Sequence, residues 1–335
     1  MLILTRADVR RLIEMEPVIA AVEAAHVALA DGRASQAIDH ATALPGGDGV
    51  MLPMAAAIAV PAVVGTKLLA DVPSNAGRAL RTQHSTITLI DPVTGRCRGF
   101  LDGIEITLHR TAAASAVATR ALARPDVRTL GLIGAGNQAR SHVQALRAVR
   151  EFDRVVVWSR RYETAERFAA EERADGLVVE VRDSPEAVVR AADVLCTLTP
   201  SRDPIVRGLW FTPGMHVNAV GAPPRPDHRE IDSVGIARSR VIVDDVASSL
   251  DRSGEVCVPI AEGTIDRSHI AGDLGAVLTG RCAGRTSADE ITLFNSVGLA
   301  LQDMATAAYL LAAAEACGVG LEVDLQAEHA PPSFT

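Results

Sequence analysis

Apolar positions recur along this chain with two periods, and the change from one to the other divides it. After Pro17, residues Val18, Val22, Ala25 and Leu29 follow at steps of four, three and four, one face of a helix that ends near Gly32. The segment HSTITLIDPVTGRCRGFLDG reads as two strands around Asp91-Pro92-Val93-Thr94-Gly95 and predicts a β-hairpin over residues 84–102, Pro setting one turn angle and Gly tolerating the left-handed one. Ile104 to Ala123, rich in Ala and β-branched residues, predicts a buried helix, and Arg124-Pro125-Asp126 marks its boundary. From Arg128 the texture changes to TLGLIG, a helical stretch, VVVW, a helix, LVVEV, a helix and VLCTLT, followed later by MHVNAVG and RVIVDD. Short apolar runs alternating with helices predict an α/β fold built on a doubly wound parallel sheet. ITLFNSVG is the last strand candidate; a long Ala-rich helix follows to Cys317 and returns to the first unit.

Composition narrows the picture. A chain of 335 residues exceeds the size at which one core usually suffices, so two domains are expected. Aromatics are only 3%, which leaves Ala, Val, Leu and Ile to build the core, as suits helices packed on a parallel sheet. The net charge of −8, with no Lys/Arg cluster, argues against a nucleic-acid partner. Five scattered cysteines without CxxC spacing point to reduced thiols and a cytoplasmic setting. The opening MLILTRADVRRLIEMEP carries charges where a signal peptide needs an apolar stretch, and no run reaches about 18 apolar residues, so neither export nor a membrane span is expected.

Leu130 to Ile133 predict a buried strand, and Gly134-Ala135-Gly136-Asn137-Gln138-Ala139 follows at once, a GxGxxA turn opening a helix. The first glycine permits the tight turn, the second lets backbone approach a pyrophosphate, and the small third residue lets helix meet sheet, while the helix N-terminus offers N–H groups and a positive dipole end. Between strand and helix inside a βαβ unit, this pattern predicts dinucleotide binding. A free ribose 2′-hydroxyl asks for an acidic residue about 20 positions on, but the second strand ends Trp158-Ser159-Arg160-Arg161. A hydroxyl and two guanidiniums suit a 2′-phosphate, so NADP(H) is expected in preference to NAD(H). The alternative is that both arginines form a solvated helix start indifferent to the cofactor. Thr197, Thr199, Val220, Gly221 and Val297 complete the expected cofactor set.

The stretch GFLDGIEITLHRTAAASAVATRALARPDVRTLGLIGAGNQARSHVQAL resembles the ornithine cyclodeaminase/mu-crystallin family. So do MLPM, GTKLLAD, DPVTGRCRGFLDG, VWSR, the NAVGAPPRPDHREID loop and SVGLALQD, so that the likeness runs over nearly the whole chain. It implies a discontinuous α+β domain for substrate and dimerisation, residues 1–123 and 304–335, beside a Rossmann domain, 124–303, in a homodimer. It also implies small α-amino or α-imino acid substrates that exchange hydride with a nicotinamide. Lys67 in GTKLLAD and Arg110 in HRTAAAS match the family's substrate-contacting lysine and carboxylate-binding arginine, and Thr111 would lie near the cofactor phosphates. A planar guanidinium pairs bidentately with a carboxylate, and a lysine near other cations can reach a pKa suited to proton transfer.

This sequence departs from the family pattern at two places. Cyclodeaminases carry an aspartate where Val220-Gly221-Ala222 here leads to Pro223, which argues for the family's imine reductases and amino-acid dehydrogenases. In AIDHATALPGG, where a second carboxylate-binding arginine is usual, stand Asp39, His40 and Ala41. His40, and His84 on a strand that in this family faces the pocket, are therefore the further substrate candidates; as cations they would favour a dicarboxylic imino acid such as iminosuccinate over the imine of pyruvate or a cyclic imine. The other histidines, His142 and His216 among them, lack ligand spacing, and no metal is expected.

The expected reaction is NAD(P)H-dependent reduction of a protonated α-imino acid to an amino acid, reversible as a dehydrogenase, with Arg110 and Lys67 on the carboxylate and Lys67 or a water managing the imine proton. Its rivals are ammonia-eliminating cyclisation of the ornithine cyclodeaminase type and a mu-crystallin-like protein that binds NADPH and a small ligand without turnover.

Overall fold

The computed structural model describes residues 1–37, 41–78 and 80–327. It begins with β1 (Leu2–Leu4), α1 (Arg6–Leu12) and α2 (Met15–Ala30). Strands β2 (Ala34–Gln36), β3 (Thr42–Ala43), β4 (Val50–Ala59), β5 (Ala62–Asp71), β6 (Gln83–Ile90) and β7 (Cys97–Asp102) follow. The predicted helix buries Val18, Val22 and Ala25 as its spacing requires. The predicted hairpin is β6–β7, and Asp91 fixes its turn by accepting the N–H groups of Val93 and Thr94.

The longest hairpin was not legible from the period: β4 and β5 pair from Val50↔Asp71 to Ala59↔Ala62. VMLPMAAAIA reads as an unbroken apolar run, and an internal Pro argues against a central strand. Pro53 is accommodated because it falls between the stretch of β4 that pairs with β3, Val50 and Met51, and the stretch from Ala56 to Ile58 that pairs with β2.

Helix α3 (Ile104–Leu122) leads into an alternating series: β8 (Thr129–Ile133), α4 (Asn137–Arg147), β9 (Arg154–Trp158), α5 (Tyr162–Ala174), β10 (Val179–Val181), α6 (Pro185–Ala191), β11 (Val194–Thr197) and β12 (His216–Ala219). Then come α7 (Ser233–Ala237), β13 (Arg240–Val243), α8 (Val246–Arg252), α9 (Gly254–Ala261), β14 (Ile270–Asp273), α10 (Leu274–Leu278), β15 (Thr292–Asn295), α11 (Ala300–Cys317) and β16 (Leu321–Glu322).

Among the described residues these strands form two eight-stranded sheets. The first, β16-β1-β7-β6-β5-β4-β2 with β3 on β4, is antiparallel except between β1 and β7. The second, β10-β9-β8-β11-β12-β15-β13-β14, is parallel at every pairing, as the βαβα rhythm requires. Its central strands β8, β11, β12 and β15 are buried throughout, which is why they read as continuous apolar runs.

Helix α3 packs against α2, α4 and α11, and every residue from Arg110 to Thr119 is buried. Its alanines let those neighbours approach closely. Helix α11 lies on the inner face of the first sheet, where Leu301, Met304 and Leu310 join Met54, Ile58, Ile87 and Leu101 in one cluster. The outer face of that sheet keeps Leu68 and Phe100 exposed, at 42% and 39%.

Candidate active site

Strands β8 and β11 are adjacent, yet the chain leaves them in opposite directions, so a crevice opens beyond their carboxyl ends. A cavity of about 480 Å³ lies there. The first sheet contributes Leu52, Met54, Lys67, Leu69, Gln83 and Ser85 to its wall, and α3 contributes Ile104, Thr107, Leu108, Arg110 and Thr111. Loops of the second sheet supply Leu198, Val220, Gly221, Pro223 and Val297.

Lys67 is 1% exposed, and its Nζ donates to Thr107 Oγ1 at 2.9 Å and to both carboxylate oxygens of Asp303 at 3.1 and 3.2 Å. Arg110 donates from Nε to Asp303 Oδ1 at 3.0 Å and from Nη1 to Gln302 Oε1 at 2.9 Å. One fully buried carboxylate thus serves two cations, and the trio carries one surplus positive charge. Both cations of the trio line the cavity, where a planar guanidinium and an ammonium offer donors suited to a carboxylate. Gly298, at φ +80°, brings its backbone against the Arg110 guanidinium; a Cβ there would stand 2.7 Å from Nη1.

Behind the guanidinium, Gln302 turns its Nε2 toward His26 Nε2 at 3.1 Å, which requires that ring nitrogen to accept. His26 is therefore neutral, and burial lowers its pKa to about 4. Arg81 and Arg252 also line the cavity, whereas no Asp or Glu does among the described residues.

The opposite end fits a dinucleotide. Gly134, at φ +111°, makes the turn after β8, and its N–H donates to Trp158 O at 2.8 Å, which holds the turn against the end of β9. Helix α4 begins after Gly136 with no side-chain cap, and a Cβ at Gly136 would meet nothing within 4 Å. The space in front of the helix N–H groups is thus open to a phosphate. Gln138 Oε1, also on the cavity side, is buried without a hydrogen-bond partner. Beside the turn, Ser159 is half-buried and Arg160 and Arg161 are exposed, and neither arginine forms an ion pair among the described residues.

The model of the ornithine cyclodeaminase/mu-crystallin family matches residues 1–317. The chain belongs to this family. A Delta(1)-pyrroline-2-carboxylate reductase of Bacillus cereus is 34% identical over 332 residues, covering 97% of this chain and 100% of its own. The structure of Thermococcus litoralis Delta(1)-pyrroline-2-carboxylate reductase, in complex with NADH and L-proline, superposes with a TM-score of 0.92 at 35% identity, over 96% of this chain and 100% of that one. An archaeal alanine dehydrogenase dimer with bound NAD gives a TM-score of 0.92 at 32% identity, over 97% and 99% of the two chains.

Of the residues singled out in this family member's sequence, Lys67, Arg110, Thr111, Gln138, Val220, Gly221 and Val297 reach the cavity wall, and Gly134, Ala135, Gly136 and Asn137 form the turn and the first residue of α4. Thr197 and Thr199 do not line the cavity. Thr197 is fully buried in β11, and Thr199 gives both its N–H and its hydroxyl to Glu230, so that Leu198 and Pro200 face the cavity instead.

His84 is exposed and absent from the wall. Its strand was correctly expected, but alternation turns Gln83 and Ser85 inward and leaves His84 on the outer face, paired with Ala70. His40 lies outside the described residues. His142 and His216 are buried against Ser115 and Thr292, and no metal-binding cluster occurs among the described residues. No helix among them is long and apolar enough to cross a membrane. Sequence reasoning missed Asp303, Gln302 and Glu230; SVGLALQD and the REID loop contained them, without a spacing that reveals what they touch.

Proposed function

We propose that this protein reduces a small α-imino acid to the corresponding amino acid with NADPH, and oxidises the amino acid in the reverse direction. The observation that carries the reading is the buried Lys67–Asp303–Arg110 cluster, which presents an ammonium and a guanidinium to the same cavity that Gln138 of the dinucleotide cradle lines. The named relatives, a reductase of a cyclic imino acid and a dehydrogenase of an amino acid, support it.

When bound, the reduced nicotinamide supplies hydride for the α-carbon. The protein's share is placement: Arg110 and Lys67 hold the carboxylate, with Asp303 and Thr107 keeping the ammonium in one position, and Lys67 or a water on it holds the imine proton. Leu52, Met54, Leu69, Ile104 and Leu108 wall the remainder and limit water around the iminium. That apolar wall suits a compact ring or short aliphatic group, so a cyclic imine such as Δ1-pyrroline-2-carboxylate is the preferred substrate.

Arg81 in the wall favours a second reading, a dicarboxylic imino acid such as iminosuccinate; the exposed His84 no longer supports it. Cyclodeamination is disfavoured, because Pro223 offers the cavity neither donor nor acceptor from its side chain. Preference for NADPH over NADH rests on Arg160 and Arg161, and a homodimer on the exposed Leu68 and Phe100 of the outer sheet face together with the dimeric relative. The free, scattered cysteines fit a cytoplasmic enzyme.

The test is NADPH oxidation with Δ1-pyrroline-2-carboxylate, and with pyruvate or oxaloacetate plus ammonia, in the wild type and in Lys67→Ala. Rapid oxidation with one imino acid, lost in Lys67→Ala while NADPH still binds, is expected. Silence with every substrate despite tight NADPH binding would leave a ligand-binding protein. Ammonia release from ornithine without net cofactor change would establish cyclodeamination.

A further inference from the structure

Besides Gln138 and Lys67, two loops of the second sheet contribute to the wall of the cavity. One, after β11, presents Leu198 and Pro200; the other, after β12, presents Val220 and Gly221. These loops would hold a nicotinamide that reaches from the phosphates to the substrate. The parent strands are neighbours, with Thr197 opposite Ala219, and the loops touch through backbone, since a Cβ on Gly221 would collide with Thr199 N.

Glu230, fully buried, spans both loops. Its Oε1 accepts the N–H and the hydroxyl of Thr199, each at 2.6 Å, and its Oε2 accepts Gly221 N–H at 2.8 Å. The residue is itself fixed: its N–H donates to Glu255 Oε1 at 2.7 Å, and its carbonyl accepts from Ile205 and Val206 at 2.8 and 2.9 Å. Backbone bonds from Val220 and Gly221 N–H to Thr197 O already join the loops at their base, and the three acceptances of a desolvated carboxyl group fix Thr199 and Gly221 beyond it. Glu230 does not itself line the cavity, whereas Gly221, which it holds, does.

We propose that Glu230 is a positioning residue that sets the spacing of the two loops and thereby the seat of the nicotinamide ring. This rests on the NADPH reading above and extends it to a residue that acts through the loops it holds, at Thr199 and Gly221. The carboxamide of Glu230→Gln accepts on one side only, so either the Thr199 pair loses its acceptor or the Gly221 N–H, which also donates to Thr197 O at 2.9 Å, loses its link to the second loop's brace.

The experiment compares full-length wild type and Glu230→Gln for the affinity of NADPH, the affinity of 2′-phospho-ADP-ribose, which lacks the nicotinamide, and kcat at saturating NADPH. The expected result is an unchanged affinity for the nicotinamide-free analogue, with NADPH binding weakened about tenfold and kcat lowered by a similar factor. An NADPH-to-analogue affinity ratio equal to that of the wild type would overturn the proposal, because a general loss of structure weakens both ligands together. Should Glu230→Gln fail to fold, Thr199→Val removes one of the three donors, and a shift of about threefold in the same ratio is expected, its absence counting against the proposal. Wild-type protein that binds the analogue but gains nothing from the nicotinamide would remove this proposal alone; wild-type protein that binds neither would remove the cofactor reading with it.

Discussion

The two arginines after β9 offer the sharpest test of cofactor choice. Arg160 and Arg161 are exposed beside the Gly134 turn, which is itself bonded to Trp158 O, so a ribose 2′-phosphate in the cradle would come within their reach. Charge-assisted hydrogen bonds contribute roughly 1.5–3 kcal/mol where protected, but exposure and side-chain entropy reduce this to about 1 kcal/mol per arginine here. At about 1.4 kcal/mol per tenfold, each Arg→Ala change should weaken NADPH about fivefold, and the double change about 30-fold. NADH, without the phosphate, should keep its affinity within about twofold on the same scale. Titration of intrinsic dinucleotide fluorescence measures both dissociation constants directly. Repeating it at low and high salt adds a check, because the NADPH advantage should shrink as the Debye length falls from about 30 Å at 0.01 M to about 3 Å at 1 M. Equal losses for NADPH and NADH, or none for either, would show that the arginines are a solvated helix start.

Three further outcomes are expected. Asp303→Asn removes the carboxylate that Lys67 and Arg110 share and should cost about 3–5 kcal/mol as a fall in Tm, together with most of the activity, since two buried cations then face each other; an unchanged Tm would contradict the buried cluster. Burial pushes Glu255 up to about 8, with the nearby Glu230 adding to the effect, and burial pushes Glu230 itself up to about 7. Both folded values lie above the unfolded value of about 4.3, so the folded protein holds extra protons between these limits. Stability should fall as pH rises through that window and level off above pH of about 8. Glu255→Gln should flatten the Tm profile between about pH 6 and 8, and equal slopes in the two proteins would refute the assignment. Leu68→Glu combined with Phe100→Glu places charges on the outer sheet face and should yield monomers in sedimentation, whereas an intact dimer would move the interface elsewhere.

The Rossmann half was legible because its information is local. A buried strand, a glycine turn and a helix start adjoin one another in sequence, and the period changes at their joints. The β4–β5 hairpin was not, since Pro53 and a run of alanines hide the alternation that pairing with β2, β3 and β5 imposes. His84 shows how a correct strand can still mislead, because a choice of face hangs on a single residue of register and only Gln83 and Ser85 turn inward. Asp303 lies 236 positions from Lys67 and 193 from Arg110, and no spacing rule reaches so far; the contact exists because α11 returns across the first sheet. Glu230 was hidden for the same reason in miniature, its partners lying 31 and 9 positions away on separate loops.

Helix α3 carries Thr107, Arg110 and Thr111 at one end, and further along it is bound into the second sheet's layer, where Ser115 meets His142 of α4 at 3.0 Å and Thr119 accepts from Asn218 of β12 at 3.0 Å. While Lys67 stands on β5, Arg110, the other cation that shares Asp303, and the contacts to the second sheet's layer are thus mounted on one helix. The walls that judge the rest of the substrate, Leu52 on β4, Leu69 on β5 and Gln83 on β6, belong to strands outside it. Such a layout separates what must stay constant from what is free to drift. Under the proposed reaction, substrate preference would be altered by changing Leu52, Leu69 and Gln83 on three neighbouring strands, with Arg110 and Thr111 kept in place by α3 and Lys67 left unchanged on β5.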